Sequence, residues 1–192
     1  MRKIYPLITA ACLFVSLGLI VAMSRTKTPL SRAYTLHYHA SEIDSAGNVV
    51  TYYDETRYVS TSGNWRDVKT FPNGEQKPDL VGDYRRQSVL AVKRNGLVQV
   101  SEYHGRPNMT RESITALDIY KGTAYLLGYE TLIVSNNGMT RYLAPDLDFA
   151  ELKVEITRPN NSRFVLEPVS IEMGEPSAHD LSYPENLPVV TR

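Results

Sequence analysis

The sequence predicts a mainly β protein: a curved antiparallel half-barrel of about eight or nine strands with one covering helix, behind an N-terminal membrane or signal helix. Three observations carry this expectation. From residue 33 onward the dominant hydrophobic period is two, the spacing at which side chains of a strand share a face. Turn clusters recur between the strand-like runs, among them Ser45-Ala46-Gly47-Asn48, Pro72-Asn73-Gly74 and Asn136-Asn137-Gly138. Tyrosine, with 13 residues against four Phe and one Trp, dominates the aromatics and suits a sheet with one apolar side and one wet side.

Residues 1–24 are a targeting segment. Arg2-Lys3 precede Ile4 to Met23, twenty residues without a charge, enough to cross a hydrocarbon core as a helix. The length of the run, with Arg25 and Lys27 directly after it, favours an uncleaved signal anchor. The small-x-small triplet Ala22-Met23-Ser24 favours cleavage as a signal peptide, and both readings stay open. Basic residues ahead of the run orient the N-terminus to the cytoplasm, so the body is exported in either case. The expected location is the bacterial cell envelope: inner-membrane anchored with a periplasmic domain, or periplasmic after cleavage. Cys12, the only cysteine, sits inside the apolar run, most simply as a small apolar residue. The exported part therefore has no disulfide and must be held by its own core.

Residues 25–32 read as a polar linker, 33–176 as the half-barrel domain and 177–192 as a Pro-rich extended tail. The first strand, Ala33 to Ala40, sets Tyr34, Leu36, Tyr38 and Ala40 on one face and Thr35, His37 and His39 on the other. A β-branched and aromatic run, Asn48 to Ser60, makes the second, and Asn64 to Phe71 the third. Ser88 to Tyr103 reads as a hairpin turning at Asn95-Gly96. Asn108 to Gly122 has apolar residues near helical spacing, a start at Thr110 and a stop at Gly122, and is the natural lid for a concave face. Strands resume over Tyr125–Ser135, Met139–Leu143, Glu151–Arg158 and Ser162–Met173.

Composition narrows the function. Lys+Arg and Asp+Glu both number 21, and the basic residues are scattered, which argues against nucleic acid. There is no Gly-x-Ser-x-Gly elbow, no His-Glu-x-x-His, no Gly-rich phosphate loop and no thiol outside the apolar run, so no enzyme and no cofactor are expected. His37 and His39 share a face, yet a metal needs a third ligand beside them, and solvent-facing imidazoles are the simpler reading. Asp146 and Asp148 in Ala-Pro-Asp-Leu-Asp read as turn residues rather than a carboxylate site.

Residues 126–176 run through an apolar strand, an aromatic-bearing strand with Tyr142, a turn at Pro145-Asp146-Leu147, a strand with Leu152-Lys153, and an exit at Glu175-Pro176. The resemblance is to the closing strands of the LolA-like superfamily, which includes periplasmic lipoprotein carriers and related exported proteins. It implies a half-barrel whose concave face takes an apolar chain, lipid or a lipoprotein-like ligand. Leu36, Tyr38, Tyr52, Trp65 and Tyr142 are then the expected lining, although each suits a plain core as well. A carrier of that family begins with an amphipathic helix, whereas only Arg25 to Ala33 precedes the first strand here. Two functions follow. One is an envelope module binding an apolar ligand. The other is a membrane-tethered regulatory or interaction domain with a filled interior and an envelope protein as partner. In both, residues 4–23 meet the membrane.

Overall fold

The computed structural model describes residues 32–73, 79–93, 96–103 and 109–190. The targeting segment 1–24, its contact with the membrane and most of the linker lie outside the described residues, as do His104 and the turn residue Asn95. Among the described residues no helix is long and apolar enough to cross a membrane.

Among the described residues twelve strands form one open, curved sheet. The first meander runs through β1 (Tyr34–Ile43), β2 (Val49–Val59), β3 (Trp65–Thr70), β4 (Asp79–Asp83), β5 (Ser88–Lys93) and β6 (Gly96–Glu102). The second runs through β7 (Tyr120–Leu126), β8 (Tyr129–Asn136), β9 (Met139–Ala144), β10 (Ala150–Thr157) and β11 (Arg163–Met173). The two join where β1 pairs antiparallel with β11, Tyr34 opposite Met173 and Ile43 opposite Arg163. The sheet order is therefore β12-β6-β5-β4-β3-β2-β1-β11-β10-β9-β8-β7.

β12 (Val189–Val190) comes from the tail and adds in parallel to β6. The tail is pinned on its way there. Arg66 donates to the carbonyl of Ser182 at 2.7 Å, Tyr183 Oη donates to Asp83 at 2.6 Å, and Leu97 N donates to the carbonyl of Pro188 at 2.9 Å. One edge of the sheet is thus covered by the chain's own end, which limits edge-to-edge pairing.

The mainly β half-barrel matches the sequence expectation, with differences in detail. β4 was hidden because Val81, Gly82 and Asp83 are buried in succession, which breaks the alternation of a half-buried strand. The helix, α1 (Arg111–Thr115), is far shorter than 108–122. Thr110 caps it in a capping box with Ser113, as expected. After Leu117, however, the chain is captured by β8: the amide of Ser135 donates to the carbonyl of Ile119 at 2.8 Å, and β7 begins. The expected strand 125–135 is accordingly the end of β7, a two-residue turn at Leu127-Gly128, and β8.

Two clusters of buried apolar residues stand out among the described residues. The main one joins Tyr34, Leu36, Tyr38 and Ala40 of β1 to Tyr53, Val59, Phe71, Leu147, Leu152, Val154 and Leu166. The smaller joins Ile114 of α1 to Leu132, Val134 and Leu143. The helix therefore seats on the smaller cluster and is not a lid over the main one.

Candidate functional site

The main cluster is an apolar wall whose layout follows from strand pairing. On β2, Val59, Arg57, Glu55 and Tyr53 stand opposite Tyr34, Leu36, Tyr38 and Ala40 of β1. On the other side, β11 brings Ile171 opposite Leu36 and Leu166 opposite Ala40. The centre of this wall is closed to water: Leu36 is 0% and Tyr38 1% exposed. Tyr38 keeps its phenol satisfied by donating to the carbonyl of Glu151 at 2.7 Å, and burial pushes that phenol's ionisation well up. Around the centre lies a margin of partly exposed apolar side chains: Trp65, Leu126, Tyr129, Met139, Ile156, Phe164 and Ile171.

A charged flank borders the wall on β2 and β3. Arg57 holds Asp67 in a two-pronged pair, Nε to Oδ1 at 2.7 Å and Nη2 to Oδ2 at 2.8 Å. Glu55 lies 3.5 Å from both Arg57 Nη2 and Lys69 Nζ. Glu55 and Asp67 are almost wholly buried. Burial, then the charge of Asp67, raises the carboxyl of Glu55 above its ordinary range. Burial alone would lower the guanidinium of Arg57, but the carboxylate of Asp67 outweighs it and holds Arg57 charged. Two cations and two anions balance within the group. Its chemistry is structural: it cross-links β2 to β3 and sets Arg57 near the rings of Tyr38 and Trp65, at 5.8 and 6.0 Å.

Of the residues expected to line a ligand site, the fold gathers three and separates two. Leu36 and Tyr38 are at the sealed centre of the wall. Trp65 is on its margin, laid so closely over Gly82 that a Cβ there would meet Trp65 Nε1 at 1.9 Å. Tyr52 points to the other face and is 45% exposed, edge-on to His39 with centroids 6.4 Å apart. Tyr142 is half-buried outside both clusters, with Lys153 Nζ 5.6 Å from its ring centroid. The inward tyrosine of the Tyr52-Tyr53 pair is Tyr53, whose ring packs on Phe71 at 4.7 Å. A two-tyrosine run leaves the register undecided, and a slip of one residue exchanges the faces. The signal that decides it is the row Tyr53, Glu55, Arg57, Val59, whose last member must face Tyr34.

The remaining candidates have local partners. His39 Nδ1 lies 2.5 Å from Asp54, and His37 bonds Thr56 at 3.2 Å. Among the described residues no three metal-binding side chains converge. Pro145–Leu147 forms a single 3-10 turn, and Asp148 after it accepts the Arg32 amide at 3.3 Å.

No protein-family model matches the chain, and no curated protein matches it. Solved structures do. An uncharacterized conserved protein from Thermus thermophilus matches 92% of this chain and 99% of its own, at 15% identity and a TM-score of 0.51. A LolA superfamily protein from Nitrosomonas europaea matches 86% of this chain and 97% of its own, at 8% identity and a TM-score of 0.43. MucB matches 89% of this chain over 64% of its own, at 10% identity and a TM-score of 0.43. At 15% identity the first of these likenesses is one of fold alone.

Proposed function

We propose that the protein is a bacterial envelope module that binds an apolar ligand, a lipid or lipoprotein-like chain, against the margin of its main apolar wall. The observation that carries this is the margin itself. Seven apolar side chains border a sealed cluster on one face of an open sheet, and the described helix covers a different cluster. A single sheet with an apolar face calls for a second layer, and a bound acyl chain supplies one. Each methylene it buries contributes about 0.8 kcal/mol, so contact with a few of these side chains gives useful affinity. The resemblance of residues 126–176 to the LolA-like superfamily supports the same ligand class. The uncharged run Ile4 to Met23 supports export, with the domain tethered to the inner membrane or released from it. The role is binding rather than catalysis, without a cofactor.

A second reading has its own observation. Leu36 and Tyr38 are sealed by protein atoms, which suits a filled interior and a protein partner. Native mass spectrometry of the full chain, extracted from an expression host's membranes, separates the two. The ligand reading expects a co-purifying lipid that is lost on delipidation, regained on addition, and lost in Phe164→Asp while the fold persists. A clean mass with no uptake from a lipid panel overturns it and leaves the interaction domain.

A further inference from the structure

We infer that the β7–β8 hairpin tip, Tyr125 to Gly128, docks on the surface of a lipid bilayer; this rests on the ligand reading and names the source of the ligand. Leu127 has φ 51° and Gly128 φ 83°, the positive pair that a two-residue hairpin turn requires. Asn or Gly adopts such a φ freely, whereas Leu is strained there, and its side chain is 37% exposed. Tyr125 beside it is the most exposed large apolar side chain of the described residues, at 74%. A Cβ on Gly128 would meet nothing within 4 Å, so the turn has open space on that side. Strain that presents an apolar residue to water does nothing for folding. It makes sense where that residue leaves the water.

The strand registers say what the tip meets. Leu126 pairs Tyr129 and Leu132 pairs Leu143, so the tip lies at the end of the sheet where β9 passes into β10. β1 begins at that same end, at Tyr34 opposite Met173, and the Arg32 amide touches Asp148 in the β9–β10 connection. The chain thus arrives from its N-terminal apolar run at the end of the sheet that carries the tip. In the anchored form of the chain the ten residues 24–33 separate that run from β1, a reach of at most about 35 Å, which keeps this end near the bilayer. Tyr and Leu are residues of the bilayer interface and its acyl edge. Leu126 and Tyr129, which flank the tip, already belong to the margin of the wall. The tip therefore joins a bilayer to the ligand surface. The ionised side chain bonded closest along β8 is Glu130, paired with Arg111, so apolar contact rather than attraction to anionic headgroups drives docking.

The test uses the full chain with Cys12→Ser in phosphatidylcholine vesicles. An environment-sensitive dye is placed by Leu127→Cys, and in a second sample by Asn137→Cys at the opposite end of β8. The expected result is blue-shifted emission at 127, quenched by shallow spin-labelled lipid and indifferent to salt, with 137 water-like. With the dye moved to Tyr125→Cys, Leu127→Asn should lower the shielded fraction about tenfold, by removing one buried leucine. Equal, water-like emission at 127 and 137, or failure of the chain to float with the vesicles, overturns the proposal. Shielding at 127 that persists without vesicles and vanishes on dilution assigns the tip to a second copy of the chain and also overturns it. Shielding by lipid in a chain that takes up no lipid in the mass spectrum upholds the docking and removes the ligand reading.

Discussion

Strand β8 ends in the same two-residue turn twice, and the two turns are made differently. At one end Asn137-Gly138 has φ values of 49° and 78°; at the other Leu127-Gly128 has 51° and 83°. The backbone requirement is the same, and Asn meets it at little cost where Leu does not. The surroundings differ as well. Thr157 donates its amide to the carbonyl of Gly138 at 2.7 Å, tying that turn to β10, whereas a Cβ on Gly128 would find open space. The Asn137 turn is a fitted part of the fold. The Leu127 turn is displayed by it, and its residue choice answers to something outside the sheet.

The largest effect expected lies on the fitted side of that contrast, in the charged flank, and it sets the scale for both turns. Arg57→Met leaves the buried carboxylate of Asp67 without its guanidinium and should cost about 3–5 kcal/mol in urea unfolding. Adding Asp67→Leu should return most of that loss, because the pair holds place more than it adds stability. If the single variant costs no more than a tip substitution, the division into fitted and displayed regions fails. Glu55 extends the contrast to pH. Its raised carboxyl holds a proton more tightly folded than unfolded, so its contribution is present below the unfolded value and fades as pH rises through the folded one. Melting temperatures between about pH 4 and pH 7 should show wild type losing ground to Glu55→Gln as pH rises. Leu127→Asn should shift the melting curve equally at every pH in that range.

The glycines come next. Gly138→Ala adds a Cβ that would sit 2.5 Å from the Thr157 carbonyl oxygen, on top of a left-handed φ. Gly128→Ala meets the φ penalty alone. The first should cost about 2–3 kcal/mol and the second about 1. Equal costs in a denaturant titration would mean that the Leu127 turn is as closely packed as its counterpart.

The contrast also explains what could be read from the chain. Asn136-Asn137-Gly138 announces its turn, and so do Ser45 to Asn48 and Pro145-Asp146-Leu147. Leu127-Gly128 does not, because a leucine in that place reads as one more strand residue. The sequence therefore predicts one strand over Tyr125–Ser135 where the fold has a hairpin, and its expected helix takes in the first three residues of β7. The strand faces were legible wherever polar and apolar residues alternate, as on β1, which put Leu36 and Tyr38 in the wall. They were not legible where two residues of one kind adjoin, which misplaced Tyr52 for Tyr53. β4 carries no strand pattern in the sequence, because Gly82 makes room for Trp65 and breaks the alternation of its own strand.

The finest test exchanges the two turns. Leu127→Asn removes the strain and should stabilise the domain by about 1 kcal/mol; Asn137→Leu introduces the same strain and should destabilise it by about as much. The sites stand at opposite ends of an eight-residue strand and share no partner, so the double variant should lie near wild type in urea unfolding. A stability gain at Leu127 would identify a position where a more favourable residue for folding is available and unused, as expected for a surface kept for contact. A loss in Leu127→Asn instead would mean that the leucine packs within the fold. It would remove the strain from which the lipid-docking tip was inferred, while leaving the wall and its margin untouched.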